Sequence, residues 1–228
     1  MTLPQNPEGQ PGIYQQHRYA PPPGALDLLL VRHGQSAPYV DGVPFALVDG
    51  HGDPPLTALG QDQARLVGAR LADENIAAIY ATTLQRTAQT AAPLAVATGL
   101  EVHVEADLRE VFLGEGEGGP WRKMVAENGP VMQRVFAEER WDVVPGAEPT
   151  EELAARIRTA IEKMAARHPG ERVAAFTHGG VIGQALAMAS LSRPFAFLGA
   201  ENASISRLVI TGDRWIVRGF NDTAHLGG

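Results

Sequence analysis

Apolar residues along the chain fall into short continuous runs, separated by longer stretches with helical spacing. Residues 26–31 are apolar apart from Asp27 and stop at Arg32-His33-Gly34, as a buried strand running into a loop does. Thr57, after Pro54-Pro55-Leu56, is placed to cap a helix that continues through Leu59, Leu66, Val67, Arg70 and Leu71. Residues 76–80 read as a second strand. Residues 84–97, rich in Ala and Gln, read as a helix with a kink or restart at Pro93. Residues 102–104 form a brief strand, and the glycines at 114, 116, 118 and 119 with Pro120 deny residues 112–120 a regular element. Helices are expected around 121–139 and, after a turn at 145–149, over 150–167. A strand at 173–176 ends at Thr177-His178-Gly179-Gly180 and leads into helical residues 181–189. Strands at 205–210 and 215–217, joined by a Gly212-Asp213 turn, close the chain.

Strands alternating with helices predict an α/β layer fold with a mostly parallel sheet. Ligands in such folds bind beyond the carboxyl ends of the strands. His33 and His178 each follow a predicted strand directly, which makes them the first candidates for chemistry. Residues 1–24, with Pro4, Pro7, Pro11 and the Pro21-Pro22-Pro23 run, read as a flexible arm, and 25–228 as one domain.

Charge and composition narrow the chemistry. The net charge of −7 disfavours nucleic acid and anionic membrane as partners, so an anionic substrate needs a local basic pocket. The chain has no cysteine, which excludes disulfides, thiolate nucleophiles and thiolate-held metals. No stretch is apolar enough to span a membrane and the start lacks a secretory h-region, so a cytoplasmic protein is expected.

Four segments carry candidate chemistry. In Arg32-His33-Gly34-Gln35-Ser36 a neutral imidazole can attack phosphorus and a guanidinium can bind phosphate oxygens bidentately, although such a pair can also simply end a strand. Arg86 is expected in the first turn of a helix, where backbone N–H groups also favour an anion; otherwise it faces solvent. His178 stands at the mouth of another helix, or is a hydrogen-bonded loop histidine. Glu110, flanked by apolar Val111 and Phe112, is either a partly desolvated general acid with a raised pKa or a surface partner of Arg109.

Together these segments resemble the histidine phosphatase superfamily, the phosphoglycerate-mutase-like proteins, in its branch 1 phosphatases. The resemblance spans roughly residues 26–226. It also rests on Pro55-Leu56-Thr57 with Gly60 and Ala64, Leu84 and Thr90-Ala91 around Arg86, Leu108, Pro145-Gly146-Ala147-Glu148 and Asn202. It implies a three-layer α/β fold with helices flanking the sheet. His33 would become phosphohistidine and Glu110 would donate the proton. Arg32, Arg86 and His178 would form the phosphate pocket, with Gln35, Ser36 and Gly179 as further substrate contacts. No metal or organic cofactor is implied. The expected partner is a small phosphorylated metabolite, and a homodimer stays open.

Family mutases carry Glu-Arg-His-Tyr-Gly at the acid residue and Gly-Asn-Ser after the second histidine. This chain has Glu110-Val111-Phe112-Leu113-Gly114 and Gly179-Gly180, which favours hydrolysis. A phosphoglycerate-type mutase and an inactive phosphate-ligand binding protein are the alternatives. The family's tryptophan before its Glu-Gly is missing from Gly114-Glu115-Gly116-Glu117-Gly118, and Trp121 comes later. The long 37–53 loop either reaches over the site or is a surface excursion. Its His51, between Asp49 and Asp53, is expected to be solvated rather than metal-ligating. Glu148 belongs at the pocket edge or caps the following helix, and Trp141 with Phe136 is expected in the core.

Overall fold

A computed structural model describes residues 14–227, so residues 1–13 of the expected arm lie outside the described residues. Residues 14–24 form neither helix nor strand, and Tyr19 stacks under the Arg218 guanidinium at 3.7 Å. The central sheet has six strands: β1 (Leu26–Arg32), β4 (Ile76–Ala81), β5 (Val102–Val104), β6 (Arg172–Thr177), β7 (Ile205–Thr211) and β8 (Arg214–Asp222). Their spatial order is β5-β4-β6-β1-β7-β8; the first four run parallel, β7 runs antiparallel to β1, and β8 antiparallel to β7. A separate two-stranded ribbon, β2 (Leu47–Val48) with β3 (His51–Gly52), lies in the 37–53 loop.

β1 shows why the sheet is buried on both faces. Leu26, Leu28 and Leu30 pack into one core with α5 (Thr150–Arg167) and α6 (Gly179–Ser190). Leu29 and Val31, on the alternate face, pack with α1 (Ala58–Leu71) and α2 (Gln85–Thr98). The result is the three-layer fold. The one polar interruption, Asp27, is buried at the strand's start, where Arg172 Nε and Arg207 Nε donate to it at 2.8 and 2.7 Å.

Three elements differ from expectation. Pro93 lies inside one unbroken α2, packed on the bare backbone of Gly68, where a Cβ would approach Pro93 Cβ to 2.9 Å. The helix expected over 121–139 is two helices, α3 (Pro120–Glu127) and α4 (Pro130–Glu138). Left-handed Asn128 (φ 47°) ends the first and Pro130 starts the second. Phe136 is exposed on α4, whereas Trp141 is buried.

Candidate active site

Parallel pairing of β1 with β6 puts Arg32 opposite Thr177, so the residues that follow, His33 and His178, leave the sheet side by side. Their ring centroids are 5.2 Å apart. His33 Nδ1 lies 2.7 Å from the Gly34 carbonyl, which can only accept; Nδ1 therefore carries the proton and Nε2 keeps its lone pair. Gly34 is required by close approach, since a Cβ there would lie 2.4 Å from Gly60 O at the start of α1. Asn202, before β7, donates to His33 O at 2.9 Å. β4 ends beside His178, and Thr82 Oγ1 meets His178 Nε2 at 3.1 Å.

Two guanidiniums flank the histidines. Arg86 is in the first turn of α2, buried, with Nη1 donating to Gly52 O at 2.9 Å and 3.7 Å from Asp53 Oδ1. Asp53 Oδ1 also accepts from Gln85 N, supplying the cap that the helix lacks in its own N-cap side chain. Arg32 donates through Nη1 to Ala200 O, while its Nε is buried without a partner among the described residues, as is His178 Nδ1. Glu110 accepts from Val111 N at 3.0 Å and from Gly180 N, the second residue of α6, at 3.1 Å. It is not paired with Arg109, which instead binds Asp49. A Cβ on Gly180 would come within 2.5 Å of Glu110 Oε1, so only glycine leaves the carboxylate in place.

These groups share a cavity of about 720 Å³. Arg32, His33, Gln35, Ser36, Arg86 and Glu110 line it; His178 and Gly179 do not. His178 is fully buried behind His33, and Gly179 packs against the Arg32 side chain. The 37–53 loop contributes Pro38, Phe45, His51 and Gly52 to the wall, so it borders the site rather than leaving it.

Several contributors escaped the sequence reading. Arg122, on α3, lines the cavity, donates to Ser36 Oγ at 2.8 Å and stacks over Phe45. The Gly118-Gly119-Pro120 helix start just before it was the available signal. Glu117 accepts from Gly52 N and Leu113 N, tying the 37–53 loop to the glycine-rich loop. His51 is buried, not solvated, with its ring edge-on to Phe112 and Nδ1 3.5 Å from Glu117. Asp49 and Asp53 are engaged elsewhere, by Arg109 and by the start of α2. Glu148 neither lines the cavity nor caps α5; it binds Arg156.

Burial, then Arg86 and Arg32, holds the His33 pKa well below its ordinary 6.5, and burial with Arg86 does the same for His178. Both imidazoles are thus neutral near pH 7. At Glu117 burial pushes upward, but the His51 ring 3.5 Å away and hydrogen bonds from Gly52 N and Leu113 N outweigh it and hold the carboxyl below its usual range. Because the unfolded chain takes up protons that the folded histidines refuse, stability is full above their unfolded pKa and declines below it. The thermal midpoint should therefore fall between about pH 7.5 and about pH 5. It should fall less in His178→Asn; equal slopes in the two proteins would contradict a neutral His178.

The family model of the histidine phosphatase superfamily (branch 1) matches residues 28–223. Phosphoglycerate mutase-like protein 4 of Arabidopsis thaliana is 32% identical over 205 residues, covering 88% of this chain and 86% of its own. A metal-independent phosphoserine phosphatase of the same plant is 31% identical over 205 residues, covering 88% and 83%. Among solved structures, a mycobacterial glucosyl-3-phosphoglycerate phosphatase superposes with a TM-score of 0.71 at 27% identity, covering 86% of this chain and 98% of its own. With the paired histidines at adjacent strand ends, these matches establish that the chain belongs to branch 1 of the histidine phosphatase superfamily.

Proposed function

We propose that this protein is a metal-independent phosphatase that hydrolyses a small phosphomonoester through a phosphohistidine on His33. One observation carries the reading: a neutral imidazole with its Nε2 lone pair free lines the same cavity as two guanidiniums and a carboxyl group. In the first step His33 Nε2 attacks phosphorus, the phosphorus–oxygen bond to the alcohol breaks, and Glu110 gives its proton to the departing oxygen. In the second, Glu110 takes a proton from water, the new oxygen–phosphorus bond forms, and the nitrogen–phosphorus bond breaks. Arg32 and Arg86 stabilise the charge on the transferred group, which is where phosphoryl transfer draws most of its catalysis. Ligand oxygens would also give a partner to the buried Arg32 Nε. Gln35 and Ser36 serve as further substrate contacts, Ser36 jointly with Arg122.

Phosphatases among the relatives support hydrolysis, as does the apolar Val111-Phe112-Leu113 stretch after Glu110. The cavity is large enough for a substantial alcohol portion beside the phosphate. Sugar phosphates and phosphoglycerate-type acids are the first compounds to test. Incubation with 3-phosphoglycerate in EDTA should release inorganic phosphate. Conversion to 2-phosphoglycerate without phosphate release would make the protein a mutase, and loss of activity restored by zinc would make it a metalloenzyme.

A further inference from the structure

Glu110 sits on a segment that has no ladder to hold it. Between the 3₁₀ turn Ala106–Leu108 and the bridge from Leu113 to Ala147 the backbone is irregular, so its carbonyls need partners from elsewhere. Arg156, on α5, supplies them. Its Nη1 donates to Asp107 O at 2.6 Å and to Arg109 O at 2.8 Å, and its Nη2 to Glu110 O at 3.0 Å. Nε and Nη2 also hold Glu148 Oε1 and Oε2 at 2.7 and 2.9 Å. A guanidinium has five N–H donors, and these contacts engage all of them. Glu148 continues the bracket: its Oε2 accepts from Phe112 N at 3.2 Å, and its own N–H donates to Phe112 O at 2.8 Å. The residues on either side of the Glu110 side chain are thereby fixed to α5. Neither Arg156 nor Glu148 lines the cavity.

We infer that Arg156, braced by Glu148, is a positioning residue that sets where the Glu110 carboxyl meets the departing oxygen. The inference rests on the reading of Glu110 as proton donor. Placement there is tight, with Gly180 leaving no slack beside Oε1, and a misplacement of about 1 Å can cost about 10²-fold in rate. Lysine cannot replace the arrangement: its three donors radiate from one nitrogen and do not span three carbonyls and a carboxylate.

The test compares kcat/KM for glycerol phosphate, whose alkoxide must be protonated to leave, with that for p-nitrophenyl phosphate, whose nitrophenolate leaves unaided. This parameter excludes the later hydrolysis of the phosphoenzyme. Arg156→Lys and Glu148→Gln should each lose about 10²-fold on glycerol phosphate and no more than about threefold on the nitrophenyl ester. Equal losses on both esters would assign the pair to the fold or the phosphate pocket and overturn the inference, as would no loss on either. Should Arg156→Lys fail to fold, the near-isosteric Glu148→Gln decides by the same comparison. The phosphatase reading is judged separately: wild type must hydrolyse both esters and His33→Ala neither.

Discussion

His33→Ala is expected to lose at least about 10⁴-fold in kcat/KM on any phosphomonoester, the largest effect of any single change in the site. No neighbour can take over. The chain has no cysteine, His178 lies behind His33 with Nε2 engaged by Thr82, and His51 is packed between Phe112 and Glu117. The fold should survive, because Arg32–Thr177 pairing, the Gly34–Gly60 approach and the Asn202 bond to His33 O all involve the backbone of the loop. Unchanged thermal stability near pH 7 with turnover lost is the predicted pair of results. Activity within about tenfold of wild type would remove His33 from the chemistry.

The second large effect is expected at Glu110→Gln. The amide oxygen can still accept from Val111 N and Gly180 N, so the local structure holds while the transferable proton is gone. General acid–base catalysis contributes about 10²- to 10⁴-fold, and a loss of that order is expected with alkyl phosphates. With p-nitrophenyl phosphate the two steps should separate. Nitrophenolate leaves without help, but the water that follows lacks its base, so a rapid burst of about one equivalent precedes slow turnover. Uniform slowing without a burst would place the Glu110 contribution in binding or folding.

The parts of the site legible in the sequence are those fixed by short-range pattern. Apolar runs ending at His33 and His178 mark strand ends, and parallel pairing of those strands makes the two rings neighbours. Arg86 was readable because a helix start follows a strand and a turn. Glu110 was harder: its segment has no period, and its role depends on Gly180, distant in the chain. Arg122, Glu117, His51 and Arg156 act through tertiary contacts with loops, which leave no spacing to read. Glu148 shows the limit most clearly. Its place before a helix predicts a cap, yet its carboxylate turns to Arg156 and Phe112 instead. In the fold, the β2–β3 ribbon escaped because two-residue strands carry no alternation, and the break at 128–130 was overridden by helical periodicity on either side.

The covalent claim is tested most directly by quenching the enzyme during turnover, under alkaline conditions that preserve phosphohistidine, and mapping the phosphoryl group by mass spectrometry. If that claim holds, one acid-labile phosphoryl group appears on the peptide carrying His33, more abundant in Glu110→Gln than in wild type. A label on another residue, or turnover with no phosphoenzyme in either protein, would contradict it.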